Sequence, residues 1–427
     1  MKQYETKEVI NVCALGAVGD GKKDDTIPMQ KAIDMAAERK CTLYVPEGIY
    51  LIGTIYLKSN LKLFLDEQAV LLGSPDISQY GENTHFNRYR NEQYMDKCLI
   101  YAEDCKNISL FGGTYNGNGE AFYREGKPDT AHPMLFRFLR TKNIRMENIN
   151  IRMPAGWSTA FIECEDIHIR EMDIVSRHFN GDGLDFDSCR NVFVSECRMD
   201  TSDDCLCIQN SVADRKSYHI MVRNCVMSSR WAAVRIGLLN SGDIEDVMIS
   251  ECIFHDVVCS GFKIQATETG EIRNIMINNI LMKNVARPLF ITSNYYRMGV
   301  LPDGQKDGEK SIDGIFVSNV RIENGERKAG EKMDGIFLLG IPERKIKHIC
   351  LHGISYHLPG GNNCERTGEV PELTNHRPEY YVINTSPAAA LYARHIEWLE
   401  LKDFSYRLDK KDVREEVILD DVSTLFR

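Results

Sequence analysis

Between Asn180 and Gln209 the chain reads N-G-D-G-L-D-F-D-S-C-R-N-V-F-V-S-E-C-R-M-D-T-S-D-D-C-L-C-I-Q. It holds two carboxylate clusters, Asp182-Gly-Leu-Asp185 and Asp203-Asp204, whose first members are 21 positions apart. A single Asp-Gly or Asp-Asp pair is ordinary turn chemistry. Acids packed this densely into apolar strand sequence are costly, because like charges repel and burial disfavours them. One protonated and one charged aspartate facing a cleft are what acid/base cleavage of a glycosidic bond requires.

The elements that must position these acids form an internal repeat. Asn107-Ile-Ser-Leu, Asn143-Ile-Arg-Met-Glu-Asn-Ile, Asp166-Ile-His-Ile-Arg-Glu-Met, Asn191-Val-Phe-Val-Ser-Glu-Cys and His219-Ile-Met-Val-Arg-Asn-Cys share one form, polar-Ile-x-Ile-x-polar-apolar. Copies continue at Asp246, Asn274, Gly314, His348 and His395. From Asn143 to Asn274 the starts are 23, 25, 28, 27 and 28 residues apart. That period predicts one coil per copy of an all-β, right-handed parallel β-helix with a stacked apolar interior. Leucine-rich repeats have a similar period but need Leu-x-x-Leu-x-Leu and an asparagine ladder, neither of which is expected here.

A helix is expected over Thr26–Arg39, with Thr26 as N-cap, Pro28 in its first turn and an apolar stripe of Ile27, Ala32, Ile33, Met35 and Ala36. It would cap the open N-terminal end of the solenoid. Later repeat intervals stretch to 40, 34 and 47 residues. Long excursions at Tyr296–Ser311 and Gly360–Tyr380, with another at Tyr115–Pro133, are expected to rim a binding site. No linker composition interrupts the chain, so residues 1–427 read as a single domain, with about 1–80 as cap and first coils and about 380–427 as the final coil.

The 427 residues carry a net charge of −10 and are 43% hydrophobic. This balance argues against a nucleic-acid partner, which wants a basic stripe. An anionic polymer would need local Lys or Arg. No N-terminal apolar stretch or membrane-length run is evident, so a cytoplasmic protein without a membrane partner is expected. The 14 cysteines are scattered through strand-like segments and read as small buried thiols. Cys205-Leu-Cys207 lacks a second pair to complete a zinc site, so neither metal nor other cofactor is expected.

Counted by coil, Asp182, Asp203/Asp204, Arg235, Lys263 and Tyr295 fall about one repeat apart. Residues one coil apart lie side by side at about 4.8 Å, which predicts a column of acids at one end and cations and an aromatic at the other. A glycan across that face would meet the acids at its scissile bond. Alternatively, Arg235 and Lys263 neutralise the acids.

The ordered set Asn180-x-Asp182-Gly-x-Asp185, Asp203-Asp-Cys-x-x-Ile208, Ile236-Gly237 and Gly261-x-Lys263-Ile resembles glycoside hydrolase family 28, the polygalacturonases and their relatives. Gly16-Ala-Val-Gly-Asp-Gly-Lys-Lys-Asp-Asp-Thr26, Tyr44-Val-Pro-Glu-Gly-Ile-Tyr50, Gly112-Gly-Thr-Tyr-Asn-Gly-Asn-Gly119, Pro154-Ala-Gly-Trp157 and Ala393-Arg-His395 extend the resemblance over nearly the whole chain. It implies an inverting hydrolysis of pectin or a related plant glycan; exo action on oligosaccharides is expected instead from the rim loops, which could wall off one end of the groove, and from the cytoplasmic setting. Asp203 matches the general acid, Asp182 and Asp204 the pair that activates water, and Asn180 the asparagine before the first acid. Like-charge repulsion would raise the pKa of the acid. Asp185 is expected to support from behind.

The departures are specific. The family's His-Gly is replaced by Arg230-Trp231-Ala-Ala-Val-Arg235, and its Arg-Ile-Lys by Lys263-Ile264-Gln265. Together with Asn180, the residues Trp231, Arg235, Lys263, Gln265 and Tyr295 become the candidate substrate-binding residues. His178 could stand in for the missing histidine, although a surface role fits it better. A polysaccharide lyase using Arg235 or Lys263 as base, and a non-catalytic carbohydrate-binding solenoid, are the competing readings.

Overall fold

A computed structural model describes residues 8–84, 96–124, 127–128, 132–298, 310–326, 335–361, 371–372, 374–379 and 387–426. The excursions expected at 296–311 and 360–380 fall largely outside these residues, and that at 115–133 partly so. The chain divides into two compact units, Met1–Asp203 and Asp204–Arg427.

The first unit is built from three parallel ladders. One stacks Lys62–Leu65, Lys106–Phe111, Lys142–Glu147, Glu165–Arg170 and Arg190–Ser195, and it carries the sequence repeat. A second includes Thr114–Asn116, Asn150–Arg152, Asp173–Ser176 and Arg198–Thr201. The third stacks Cys98–Glu103, Met134–Leu139, Thr159–Ile162 and Leu184–Asp187. The repeat explains the coil. Its first Ile or Val points inward, so Ile108, Ile144, Ile167 and Val192 sit in register and fully buried. The polar residue before it turns the corner in the left-handed region: φ is 60° at Asn107, 55° at Asn143, 57° at Asp166 and 55° at Asn191. Asn and Asp tolerate that conformation better than other side-chain-bearing residues. The second polar position turns the next corner, at Asn148, Glu171 and Glu196.

These corners also correct the expectation that no asparagine ladder exists. Asn107 donates to Asn60 at 2.9 Å, Asn143 to Asn107 at 2.8 Å and Asn191 to Asp166 at 2.9 Å. The ladder runs outside the coil, where left-handed corners already select Asn and Asp. Inside, Phe138, Phe161 and Phe186 form a nearly parallel stack with centroids 5.0 and 5.2 Å apart.

The helix spans Thr26–Arg39 as expected and buries Met29, Ala32, Ile33, Ala36 and Ala37. Two details of its reading change. Asp25, not Thr26, is the residue before the first turn, and its buried carboxylate accepts from Val18 N and Gly19 N at 2.8 and 2.9 Å. Ile27 is 80% exposed, so the buried stripe begins at Met29.

In the second unit the strands are longer and bend without interruption: Ile244–Ala266, Ile272–Ser293, Ile312–Glu323, Ile346–Gly360, Ala388–Lys410 and Glu415–Phe426. One interior row is Ile220, Val247, Ile275, Ile315, Ile349 and Leu399. The last repeat is therefore slipped by three residues from its expected alignment, since His348 pairs with Trp398 rather than His395. Ile396 and Leu399 are both apolar and three apart, so sequence alone does not separate the two registers. Eleven described cysteines are buried, Cys105 is partly so and Cys13 is exposed. Cys164 and Cys189 each donate to a carbonyl of the preceding coil, Phe138 O and Phe161 O. Both units are right-handed parallel β-helix, the fold the repeat predicts.

Candidate active site

In the first unit, Asp173–Ser176 and Arg198–Thr201 pair in parallel, so the turns that follow them are stacked. Ser202 N donates to Ser176 O at 2.7 Å, Asp203 N to Gly181 O at 3.4 Å and Gly181 N to Ser202 Oγ at 3.1 Å. A Cβ on Gly181 would sit 2.7 Å from His178 O and from Ser176 Oγ, so only glycine allows this approach. Adjacent turns thus deliver Asp182 and Asp203. They differ in access: Asp182 is 2% exposed, whereas Asp203 is only half-buried. The Asp203 backbone is fixed further by Thr201 Oγ1, which donates to its carbonyl at 2.6 Å. Asn180, half-buried with φ of 55°, forms the corner before them. Asp185 is buried inside Leu184–Asp187 in register with Ala160, beneath the turn.

His178, weighed as a stand-in for the missing histidine, is half-buried. Its ring stacks on Tyr123 at 4.4 Å, and burial pushes its pKa down.

In the second unit the predicted column is corrected. The register runs Cys207, Arg235, Lys263, Phe290, Phe337 and Tyr392. Arg235 and Lys263 are neighbours as the spacing implies, but Phe290 follows them and Tyr295 lies outside the row. Asp204 sits in the turn before Leu206–Asn210. The cations turn to it rather than outward: Lys263 Nζ lies 3.0 and 3.4 Å from its two oxygens, and Arg235 Nε is 3.2 Å from Oδ2. Asp204 and Lys263 are fully buried. Trp231, half-buried, presents its ring 5.0 Å from Lys263 Nζ and 6.0 Å from the Arg377 guanidinium.

Two residues absent from the sequence reading complete this array. Glu379 is fully buried and ion-paired to Arg377 at 3.2 Å. Burial alone would raise its pKa, but the charges of Arg377 and Lys263 hold it at about 2. Both residues belong to the Arg-Pro-Glu run of an excursion, where the repeat gives no register to count by. Its only signal was a pair of opposite charges flanking Pro378 in a loop expected to rim the site.

The segment carrying them is seated by Tyr295, first read as a substrate contact, and by its neighbour Asn294. Tyr295 N donates to Thr374 O at 2.8 Å and Asn294 Nδ2 to His376 O at 3.0 Å. Arg344, buried, stands 5.5 Å from the Tyr295 ring and donates to the carbonyls of Lys310, Asn294 and Glu268 at 2.6–2.7 Å. Burial lowers its pKa to about 10. Arg394 and His395, of the late Ala-Arg-His, both engage Glu372.

A parallel β-helix whose stacked turns present an accessible aspartate beside a buried one has the equipment of a glycoside hydrolase. The model of glycosyl hydrolases family 28 matches residues 38–367, and the chain belongs to that family. It is 26% identical to a probable polygalacturonase of Vitis vinifera, over 80% of this chain and 73% of that protein. It is 24% identical to an exo-poly-alpha-D-galacturonosidase of Dickeya chrysanthemi, covering 68% of this chain and 57% of that longer protein. A hyperthermoactive exopolygalacturonase from Thermotoga maritima superposes with a TM-score of 0.72 at 20% identity, covering 94% of this chain and 91% of that one. This last likeness is one of fold.

Proposed function

We propose that the chain is an exo-acting, inverting hydrolase of pectic oligosaccharides of galacturonan or rhamnogalacturonan type. Asp203 would protonate the leaving oxygen, and Asp182 with Asp204 would hold the attacking water. The observation that carries this assignment is the contrast within the stacked turns, where Asp203 is accessible and Asp182 is buried. A proton donor must reach the glycosidic oxygen, while a water-holding carboxylate acts from behind. The relative from Dickeya chrysanthemi, named as an exo-enzyme on galacturonan, supports the substrate class and the exo mode.

The second unit supports an anionic sugar. Arg235, Lys263 and Arg377 bring three cationic side chains to its array, beside Asp204 and Glu379. Local cations of this kind attract a uronate in spite of the net charge of −10. A lyase would use Arg235 or Lys263 as a proton acceptor, but both are paired with Asp204. The test is product analysis on oligogalacturonides of defined length. Release of single end residues, without the ultraviolet absorbance of an unsaturated product, is expected; unsaturated ends would overturn the reading.

A further inference from the structure

The second unit carries a donor cluster that the hydrolytic residues do not use. Along His348-Ile-Cys350-Leu-His352, in strand Ile346–Gly360, Ile349 and Leu351 are fully buried in the interior. Strand alternation places His348, Cys350 and His352 together on the opposite face. Cys350 is directly in register with Glu400 of the next strand, Ala388–Lys410. Its Sγ lies 3.3 Å from His348 Nε2 and 3.5 Å from Glu400 Oε2. One donor atom from each of His348, Cys350 and Glu400 falls within 4.8 Å of the other two. His352 Nε2 is 3.1 Å from Glu400 Oε1, the other carboxylate oxygen. Phe316 and Trp398 pack edge-on against His348 at 5.5 and 5.7 Å and fix its ring. This strand belongs to the Ile275–Ile315–Ile349 row, not to the one that carries Arg235 and Lys263.

We infer that His348, Cys350 and Glu400 bind a divalent transition cation of zinc type, with His352 as the positioning residue that orients Glu400. An imidazole, a thiolate and a carboxylate form a donor set that zinc accepts, whereas calcium and magnesium take oxygen donors. Tetrahedral bonds of about 2.0–2.3 Å place neighbouring donors about 3.3–3.6 Å apart, which is the spacing found around Cys350 Sγ. A ligating carboxylate is commonly held by a neighbour at its other oxygen, and His352 Nε2 stands 3.1 Å from that oxygen of Glu400. On binding, the Cys350 thiol gives its proton to solvent and sulfur bonds the metal. Three protein ligands leave a fourth position for water. Because Cys350 and Glu400 come from consecutive coils, the ion would clip strand Ala388–Lys410 to the strand before it.

The full chain, stripped with chelator and titrated with Co²⁺, should bind one equivalent. Tetrahedral d–d bands in the visible and a thiolate charge-transfer band in the near ultraviolet should appear together. Cys350→Ser should abolish the near-ultraviolet band, and His348→Ala should weaken binding at least tenfold. His352→Ala should weaken binding roughly tenfold while keeping the band, as loss of an outer partner does. Zn²⁺ should raise the thermal midpoint of the parent but not of Cys350→Ser, whose metal-free midpoint should match the parent's. Cys13→Ser and Cys364→Ser should leave the spectrum unchanged. Absence of the charge-transfer band overturns the site. So does its persistence in Cys350→Ser, or its loss in Cys13→Ser or Cys364→Ser.

Discussion

The Lys263 ammonium lies 3.0 Å from Asp204 Oδ1, and both side chains are fully buried. Removing one partner of a buried pair strands the other charge, which costs about 3 kcal/mol or more. Arg235, 3.2 Å from Oδ2, offsets part of that. Lys263→Met should lower stability by about 2–4 kcal/mol in urea unfolding. The double variant Lys263→Met/Asp204→Asn should recover part of the loss, since the stranded charge is gone. Additive losses would show that the pair is not coupled.

Glu379 makes the second unit sensitive to acid. Its pKa of about 2 lies below the ordinary 4.5. A carboxyl depressed on folding contributes stability that is complete above its unfolded pKa and is lost as pH falls through the folded one. Stability should therefore decline between about pH 4.5 and pH 2. Glu379→Gln, which cannot titrate, should show a shallower decline over that window in urea unfolding at stepped pH. Equal slopes in the two proteins would refute the assignment.

Phe161 tests the interior. It lies between Phe138 and Phe186 in a stack whose members are fully buried. Phe161→Ala should cost about 3–5 kcal/mol through lost contacts and the cavity left behind, read as a shift of the denaturation midpoint. Phe161→Leu should cost less, because it fills more of the gap.

How much of this was legible in the sequence depended on the repeat. Ile144 and Ile167 announced the interior row because alternation imposes burial, and Asn143 and Asp166 marked corners because left-handed backbone selects them. Asp182 and Asp203 were legible as a pair because their turns follow strands in register. Where the repeat stretched, counting failed. Tyr295 was placed in the cation row, but Phe290 holds that position, since residues counted by coil drift once intervals vary. Lys263 was read either as holding substrate or as neutralising the acids; sequence spacing gives a register but not the direction in which a long side chain ends, so it did not separate the two. Arg377 and Glu379 lay in an excursion with no periodicity to locate them. His348-x-Cys350-x-His352 was passed over because the cysteines were all assigned to the interior, whereas Cys350 lies on the outward face.

Asp203 is the residue on which the proposed mechanism turns. Asp203→Asn keeps the size of the side chain and removes the transferable proton, and Asp203 is half-buried on a turn held by backbone hydrogen bonds. Folding should therefore be intact, and a thermal midpoint close to the parent's should confirm it. Turnover on a natural oligomer should fall by about 10²–10⁴-fold, the usual contribution of general acid catalysis. An aryl glycoside with a good leaving group needs little protonation, so the same variant should lose far less on it. Asp182→Asn and Asp204→Asn should impair both substrates to a similar degree, because each still requires an activated water. Nuclear magnetic resonance of the first-formed product should show the inverted anomer. Near-normal turnover of Asp203→Asn on the oligomer would remove Asp203 from the role of proton donor. A retained anomer would instead point to a carboxylate attacking the sugar directly, and Asp182 and Asp204 could no longer be the pair that holds water.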